Sequence, residues 1–362
     1  MNQRDFHKLI SGQSVGLTAT ILRFSMRVAS TGYSLAVRCR NFLYSKRWLK
    51  IHTADAPVIS VGNITTGGTG KTPLVIWICK FLQQKQISCA VLTRGYKARG
   101  MRDEGRETEI DEPAVLAESC PQAKVIINPD RVAAAEQAVG FGAKALIMDD
   151  GFQHHRLHRD LDIITIDATC PFGYGKLLPA GLLREPVDSL KRADAVVLTR
   201  CDQISESELS RIKEELQIIN PDMIIAKSIH KPVCAKSIDG EKIALEQLKG
   251  KKVFAFCGIG NPDAFLSTIK NTGAELVGSK IYDDHYHYTS ECLAGIYEQA
   301  CYLTADLILT TQKDRARAKM IIPASTDIPF AYLEVEIKFT AEEDKLKQLI
   351  EDALAGKIRR KY

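Results

Sequence analysis

The residues with the clearest chemical meaning lie in a glycine-rich stretch that ends in Lys71 and Thr72. An apolar run at 58–61 precedes this stretch and a helix-forming run at 73–84 follows it, which is the strand–loop–helix context of a phosphate-binding loop. Glycines let backbone N–H groups curl around phosphates, and the helix start adds its positive dipole end. The GxxxxGKT pattern is incomplete, because Thr65 stands where the first glycine is expected. We predict a nucleotide site formed by Thr65, Thr66, Gly67, Gly68, Thr69, Gly70, Lys71 and Thr72.

Two consecutive acids, Asp149 and Asp150, follow an apolar run at 145–148. Ligands of open α/β sheets bind at the carboxyl ends of the strands, so we expect these acids to share a crevice with the loop. An isolated acid pair is more often a solvated turn. Next to a phosphate-binding loop, it predicts a nucleotide with Mg²⁺, and the metal would be held by Thr72, Asp149 and Asp150.

Phosphoryl transfer to a hydroxyl also needs a general base, and the histidines suggest where it lies. Five of the eight fall in two clusters: His154, His155 and His158, and then His285 and His287. The i,i+4 spacing of His154 and His158 could bind zinc, but the sequence offers no evident third ligand. For His285, a surface aromatic loop and a catalytic role fit the pattern equally well.

Short apolar runs alternate with helix-length segments after residue 57, which predicts βαβ units and an open parallel sheet. The expected fold is a P-loop NTPase-type α/β fold, a mostly parallel sheet flanked by helices, with a second, smaller α/β lobe. A polar, lysine-rich stretch at 227–251 suggests the boundary between the lobes. We therefore expect an N-terminal helical segment at 1–56, a kinase core at 57–226 and a second lobe at 227–362 that contributes to the acceptor site.

The positive charge is concentrated at the N-terminus. Residues 1–50 carry nine Lys/Arg and one acid, a balance of +8, so the remaining chain sums to −3 in a total of +5. A nearly neutral body argues against nucleic-acid binding. Residues 13–44 are rich in apolar groups, but Arg23 and Arg27 interrupt them. This pattern favours a basic amphipathic helix on an anionic membrane surface over a spanning helix; the alternative is a helix packed on the protein body.

The chain resembles the tetraacyldisaccharide 4′-kinases, the lipid A 4′-kinases of Gram-negative bacteria. The resemblance runs in the family's order from residue 58 to 314 and includes the threonine at position 65. The matching stretches are SVGNITTGGTGKTP (60–73), TRGY (93–96), DEP (111–113), PDR (129–131), DDGFQH (149–154), LHRDLDI (157–163), LLPAGLLREP (177–186), DHY (284–286) and TTQKD (310–314). At Ile110 the chain departs from the family, which usually has glycine there.

The resemblance implies transfer of the γ-phosphate of ATP to the 4′-hydroxyl of a lipid-linked, tetraacylated glucosamine disaccharide 1-phosphate. It implies a peripheral or monotopic enzyme on the cytoplasmic face of the bacterial inner membrane, with no protein partner inferred. Asp111 and His285 resemble the family's pair that orients and deprotonates the acceptor hydroxyl, the aspartate binding one imidazole nitrogen and leaving the other free as base. Asp149 and Asp150 resemble its Mg²⁺ and γ-phosphate group, and Gln153, His154, Arg184 and Glu185 are expected near the nucleotide.

The competing hypothesis is a P-loop switch or assembly ATPase that docks on membranes and acts on a protein partner. It accounts for the loop, the acid pair and the basic N-terminus, but it leaves Asp111, His285 and residues 177–186 unexplained. No Asn-Lys-x-Asp guanine-recognition motif occurs; residues 199–202 stand where one might fall. A soluble sugar or nucleoside kinase is a further alternative.

Overall fold

The computed structural model describes residues 3–95, 111–323 and 326–357. The helices are α1 (Gln3–Ile10), α2 (Leu17–Ser45), α3 (Lys71–Gln84), α4 (Asp111–Ser119), α5 (Arg131–Gly140), α6 (Glu206–Ile219), α7 (Pro262–Asn271), α8 (Ser290–Tyr302), α9 (Gln312–Ala318) and α10 (Glu343–Leu354). The strands are β1 (Val58–Gly62), β2 (Cys89–Thr93), β3 (Lys124–Ile127), β4 (Ala145–Asp149), β5 (Leu161–Asp167), β6 (Ala195–Thr199), β7 (Ile224–Ser237), β8 (Lys242–Ile243), β9 (Lys252–Cys257), β10 (Glu275–Ile281), β11 (Leu307–Thr311) and β12 (Phe330–Ala341).

The chain forms two compact units. Unit 1 contains the described residues of 3–94, 120–229 and 339–357, and unit 2 contains those of 95, 111–119 and 230–338. The passage at 229–230 falls close to the predicted boundary at 226. It is not a linker, because β7 continues through it, and the lysine-rich composition belongs to a strand with many partly exposed positions. The chain also returns to unit 1 near residue 339, which the sequence pattern did not indicate.

Unit 1 is built on a parallel sheet in the order β7-β6-β5-β1-β4-β2-β3. Strands β1, β2, β4, β5 and β6 are buried along their whole length, which explains why each is a continuous apolar run in the sequence. From β1 the chain builds β2, β3 and β4 on one side and then β5, β6 and β7 on the other. The reversal at β1 creates the crevice in which open α/β sheets bind ligands. The expected α/β fold is confirmed.

Helices complete the core of unit 1. Alanines and Val132 of α5 pack with Leu92 and Leu146 in one apolar cluster, and Leu209, Ile212 and Leu216 of α6 pack with β5 and β6 in another. Helix α6 begins with a capping box between Ser205 and Glu208. These contacts fix the strands whose carboxyl ends carry the site.

The predicted N-terminal segment forms two helices, and the long helix α2 is attached to the rest of unit 1 by polar contacts. Ser30 Oγ and Tyr33 Oη donate to backbone carbonyls in the segment 177–184, each at 2.9 Å. Arg40 Nη2 forms an ion pair with Glu185 at 2.9 Å. Within the parts of the chain that the structure describes, no helix combines the length and apolarity needed to cross a membrane.

Unit 2 contains the strand order β10-β9-β11-β12-β7, in which β7 is the strand that continues from unit 1, with parallel pairing at the β10–β9, β9–β11 and β11–β12 junctions. Its core includes Phe254, Phe256, Leu309 and Ala331. Strand β10 was not predicted, because its sequence ELVGSKI is partly exposed at the sheet edge and lacks a continuous apolar run. Helix α4 packs beside α9.

The close approach of β1 to the segment after β4 gives a test of the fold. A Cβ on Gly62 would lie 2.5 Å from Cβ of Phe152 and 2.9 Å from its backbone nitrogen. We expect Gly62→Ala to lower the free energy of unfolding by about 2–3 kcal/mol. The matched control is Gly32→Ala inside α2, where a Cβ meets nothing within 4 Å; it should stabilise by about 0.5–1 kcal/mol. Chemical denaturation measures both, and equal effects would contradict this packing.

Candidate active site

The loop between β1 and α3 has the backbone shape of a phosphate-binding loop. Gly67 and Gly70 have φ values of 103° and 91°, which favour glycine, and Gly70 immediately precedes the first residue of α3. Lys71 and Thr72 therefore occupy the first helical positions, where backbone N–H groups and the positive dipole end attract anions. Thr72 is buried. The predicted residues 65–72 form one continuous loop.

Residues at the ends of β5 and β6 bind the outer side of this loop. Arg200 Nη2 donates to the carbonyl of Gly68 at 2.8 Å, and Thr199 Oγ1 donates to the carbonyl of Thr69 at 2.9 Å. Arg200 is 6% exposed, and its Nη1 is paired with Asp167. Both donors bind carbonyl oxygens of the loop. They therefore favour a loop conformation in which backbone N–H groups can face phosphates.

A second segment, residues 177–186, is hydrogen-bonded to the start of the loop. The N–H of Thr66 donates to the carbonyl of Leu182 at 2.8 Å, and the N–H of Arg184 donates to the carbonyl of Ile64 at 2.7 Å. These two bonds fix Arg184 beside the loop.

Asp150 lies between two cations. Lys71 Nζ is 3.3 Å from its Oδ1, and Arg184 Nη1 is 3.0 Å from Oδ1 and 2.8 Å from Oδ2. Burial acts to raise the pKa of Asp150, but Lys71 and Arg184 outweigh it and hold that pKa below the usual carboxylate range. Asp150 is therefore ionised at neutral pH. Its φ of 54°, in the left-handed region, turns the chain directly after β4.

The neighbouring predicted residues lie on the same edge of the sheet. Asp149 is 3% exposed, and its carbonyl accepts from Arg131 Nη2 at 3.3 Å. Gln153 Nε2 donates to the carbonyl of Asn63 at 2.9 Å. Burial, with nearby guanidinium groups, lowers the pKa of His154 to about 4, so its imidazole is neutral at physiological pH and can act as a hydrogen-bonding group but not as a cation.

Several buried polar atoms here have no hydrogen-bond partner among the described residues: Ser60 Oγ, Asn63 Nδ2 and Oδ1, Gln153 Oε1 and His154 Nε2. Buried polar groups are normally paired, so these atoms indicate a place that accepts polar ligand or water atoms.

The donor set fits a nucleotide with Mg²⁺. No three His, Cys, Asp or Glu side chains within 3–95, 111–323 and 326–357 are grouped to hold a metal. Thr72, Asp149 and Asp150 would therefore share Mg²⁺ with phosphate oxygens and water, as this ion commonly requires.

Glu185 makes different contacts from those expected. It is fully buried, and its two carboxylate oxygens bind Arg40 Nη2 at 2.9 Å, Asn41 Nδ2 at 3.0 Å and Arg192 Nη2 at 2.8 Å. These contacts connect the segment that carries Arg184 to helix α2, and they supply Glu185 with partners from the protein itself.

The predicted acceptor pair lies in unit 2. Asp111 is the first residue of α4, and its side chain is outside the described part, as are Tyr96 and Ile110. His285 has a φ of 60° and donates its N–H to the carbonyl of Gly258 at 3.2 Å. Its Nδ1 is 3.3 Å from Arg317 Nη2, and its Nε2 is 4.0 Å from Asp284 Oδ1. The sequence analysis assigned no role to Asn63, Arg131, Thr199, Arg200 or Arg317. Asn63 and Arg131 lie inside the matching stretches 60–73 and 129–131, and Thr199 and Arg200 lie at the carboxyl end of β6. Arg317 lies within α9, where no pattern indicated it.

A P-loop, an acid pair at the end of a neighbouring strand, and two cations that contact the second acid are typical of a P-loop phosphotransferase site. Comparison with known proteins specifies the class. The model of the LpxK family, "Tetraacyldisaccharide-1-P 4'-kinase", matches residues 22–355. The chain belongs to this family, and it is a kinase that uses ATP with Mg²⁺.

Individual relatives agree with this assignment. A tetraacyldisaccharide 4′-kinase of Halothermothrix orenii is 35% identical over 89% of the chain and 91% of its own length. One from Elusimicrobium minutum is 37% identical over 81% of both. The crystal structure of LpxK from Aquifex aeolicus in complex with ATP has a TM-score of 0.69 at 30% identity, covering 92% of this chain and 99% of that one.

The contact between Arg200 and Gly68 predicts an effect on ATP binding alone. Arg200→Met/Asp167→Asn removes both charges and avoids leaving a lone buried charge. We expect the dissociation constant for ATP to rise at least about tenfold, since a charge-assisted hydrogen bond contributes about 1.5–3 kcal/mol, while KM for the acceptor stays within about twofold. Arg211→Met, on the exposed face of α6, is the control. The affinity for ATP is measured by calorimetric titration. If a folded double variant binds ATP as tightly as the wild type, Arg200 does not position the loop.

Proposed function

We propose that this chain transfers the γ-phosphate of ATP to the 4′-hydroxyl of a tetraacylated glucosamine disaccharide 1-phosphate. The observation that carries the proposal is the convergence of Lys71 and Arg184 on Asp150 beside a P-loop, in a chain that matches the kinase family from residue 22 to 355. The same family membership disfavours a switch ATPase that acts on a protein partner.

The phosphate loop provides positioning and charge. Its backbone and the start of α3 would hold the β- and γ-phosphates, and Lys71 would follow the transferred phosphoryl group. Arg184 adds a planar set of donors suited to phosphate oxygens. A bound Mg²⁺, held by Thr72, Asp149 and Asp150, would supply charge neutralisation at the phosphates. Both cations bind Asp150 in the structure, so ATP binding would give them phosphate partners and leave Asp150 to the metal.

The acceptor side is assigned to unit 2. Asp111 and His285 would orient the 4′-hydroxyl and remove its proton as it attacks phosphorus. Gln153 and the neutral His154, in unit 1, are proposed to hydrogen-bond the nucleotide, with Thr65, Thr66, Gly67, Gly68, Thr69 and Gly70 along the phosphates. Glu185 is proposed to hold the segment that carries Arg184, and not to bind a phosphate. Its fully buried carboxylate is already bound by Arg40, Asn41 and Arg192.

Helix α2 supports peripheral attachment to the membrane. One side of α2 faces the rest of unit 1 through Ser30, Tyr33 and the buried Val37. The opposite side carries an apolar stripe with side chains 50–77% exposed: Leu17, Ile21, Phe24, Val28, Leu35 and Phe42. An exposed stripe of this length with basic neighbours is typical of helices that lie in the membrane interface. The acyl chains of the substrate make this location useful, since each CH₂ withdrawn from the bilayer costs about 0.8 kcal/mol.

The partner surface is therefore proposed to be anionic lipid on the cytoplasmic face of the inner membrane, where ATP is available. Exposed basic residues accompany the stripe: Arg27, Arg38, Lys46, Arg47 and Lys50. Trp48, 72% exposed and in edge contact with Phe42, suits the lipid–water boundary.

The kinase assignment predicts a large effect of Lys71→Ala. Turnover of a tetraacylated disaccharide 1-phosphate should fall at least about 10²-fold, because Lys71, at the start of α3, is the cation proposed to follow the charge on the transferred phosphoryl group. Lys80→Ala, on an exposed position of the same helix, should stay within about twofold. Mass spectrometry counts the phosphate added to the acceptor. Activity within about threefold of wild type in Lys71→Ala would exclude Lys71 from the site, and acceptor-independent ATP hydrolysis by the wild type would favour the switch.

The exposed apolar stripe of α2 is predicted to be the surface that binds the membrane. In Phe24→Ser/Val28→Ser/Leu35→Ser the side of α2 that contacts the rest of unit 1 is unchanged, so ATP binding should persist. We expect sedimentation with vesicles containing anionic lipid to fall at least about tenfold at about 0.15 M salt, where distant surface charge is screened. Ile218→Ser, which removes an 81% exposed apolar side chain from α6, is the control and should bind vesicles normally. Undiminished sedimentation of the triple variant would place the anchor elsewhere. Deleting residues 1–50 is less informative, because it removes Arg40 from the buried Glu185.

A further inference from the structure

The side of helix α2 that faces the rest of unit 1 is mostly polar. Ser30, Tyr33, Val37 and Asn41 follow one another at helical spacing and lie on this side. Of the 29 residues of α2, all of which the structure describes, Val37 is the buried one. Surface helices of globular proteins usually bury an apolar side and expose a polar one. Helix α2 has the opposite arrangement, so directional hydrogen bonds hold it at defined positions.

Two of those hydrogen bonds end on Arg184 and on the residue that follows it. Tyr33 Oη donates to the carbonyl of Arg184 at 2.9 Å, and Asn41 Nδ2 donates to Glu185 Oε2 at 3.0 Å. Arg40, beside Asn41, pairs with the other oxygen of Glu185 at 2.9 Å. Glu185 is 0% exposed, so the chain directly after Arg184 cannot shift without displacing a buried charge from its partners.

The peptide units on both sides of Arg184 are therefore fixed. Its N–H donates to the carbonyl of Ile64 at 2.7 Å, and its carbonyl accepts from Tyr33. One of these bonds comes from the start of the phosphate loop and the other from α2, so Cα of Arg184 is held between the two elements. The guanidinium lies several rotatable bonds from Cα, and each bond has a few staggered positions. The placement of Cα thus decides which atoms the guanidinium can reach.

This support matters most when ATP is bound. In the structure Nη1 of Arg184 contacts both carboxylate oxygens of Asp150, at 3.0 and 2.8 Å. ATP binding is proposed to leave Asp150 to the metal, so the guanidinium would exchange this partner for phosphate oxygens. The backbone bonds of Arg184 to Ile64 and Tyr33 do not involve these atoms. They can therefore hold Arg184 in place while its side chain changes partners.

We propose that Tyr33 and Asn41 of α2 are positioning residues for phosphoryl transfer, which act by holding Arg184 where its guanidinium meets the phosphates. The helix that is proposed to bind the membrane is then also a part of the phosphate site. This inference deepens the proposed function and rests on it, because Arg184 is taken as a phosphate ligand. The exposed stripe and the positioning contacts lie on opposite sides of α2, so substitutions can separate them.

Removal of a single hydroxyl tests the contact with α2. Tyr33→Phe keeps the ring and removes the donor to the carbonyl of Arg184. With the acceptor in detergent mixed micelles, we expect kcat to fall about three- to tenfold in Tyr33→Phe and at least about twofold in Asn41→Ala. Tyr44→Phe, on the same helix and with its ring stacked on His155, is the matched control and should stay within about 1.5-fold of wild type. Wild-type kcat in both Tyr33→Phe and Asn41→Ala would overturn the proposal.

A double-mutant cycle shows whether Tyr33 acts through Arg184. If it does, Tyr33→Phe should change kcat by less than about 1.5-fold in Arg184→Met, where the guanidinium is already gone. A general loss of packing would lower kcat by the same factor in both backgrounds, and that result would overturn the positioning role. Sedimentation of Tyr33→Phe with anionic vesicles should equal that of wild type, because the exposed stripe is intact. Lost sedimentation would instead assign the effect to the membrane contact and would also count against the proposal.

Nucleotide binding gives a readout that needs no acceptor. Calorimetric titrations with ATP and with ADP, both with Mg²⁺, give the ratio of the two affinities and so report the contacts of the γ-phosphate. We expect this ratio to fall at least about tenfold in Arg184→Met and about threefold in Tyr33→Phe, and to stay at the wild-type value in Tyr44→Phe.

An unchanged affinity ratio in Tyr33→Phe would overturn the inference, whether or not Arg184→Met lowers it. Should Tyr33→Phe fail to fold, Asn41→Ala takes its place in the cycle and in the titrations, since Arg40 and Arg192 still bind Glu185 in that variant. Absence of phosphate transfer to the acceptor by the wild type would reject the proposed function. The affinity ratio would still decide whether α2 positions Arg184.

Discussion

The site depends on one electrostatic arrangement, in which two cations converge on a single carboxylate. Asp150 comes from the end of β4, Lys71 from the start of α3, and Arg184 from a segment hydrogen-bonded to the loop. Three separated parts of the chain must therefore be placed to within a few tenths of an ångström. The parallel sheet achieves this, because the carboxyl ends of its strands meet at one edge and the order reverses at β1. The buried Arg200–Asp167 pair then fixes the loop from outside.

The segment that carries Arg184 also connects the nucleotide site to the proposed membrane helix. Glu185, the next residue, is bound by Arg40 and Asn41 of α2, while Tyr33 of that helix donates to the carbonyl of Arg184. A helix that lies on the lipid surface would thus be attached directly to Arg184, the residue proposed to bind phosphate. This arrangement suits a kinase whose acceptor remains embedded in the bilayer while its other substrate is soluble.

The sequence predicted the elements that follow simple periodic rules and the motifs that require particular residue types. Continuous apolar runs identified β1, β2 and β4, since strands buried on both faces admit few polar side chains. Strand β10 was not predicted, because this edge strand mixes polar and apolar residues and has no continuous apolar run. Sequence patterns could not predict the contacts between distant residues, because nothing in the local sequence indicates that Arg200 binds Gly68 or that Glu185 binds Arg40. Nδ1 of His285 lies 3.3 Å from Nη2 of Arg317, which is 32 residues away, and no spacing rule relates them.

The central claim is that the chain phosphorylates one hydroxyl of a lipid disaccharide. The most direct measurement is to incubate the full-length wild-type chain with ATP, Mg²⁺ and a tetraacylated glucosamine disaccharide 1-phosphate in mixed micelles. The phosphorylated position is then located by ³¹P–¹H correlation spectroscopy of the purified lipid. The account predicts a single new phosphate monoester coupled to the proton at carbon 4′. A phosphate at another carbon, or release of inorganic phosphate with the lipid unchanged, would contradict it.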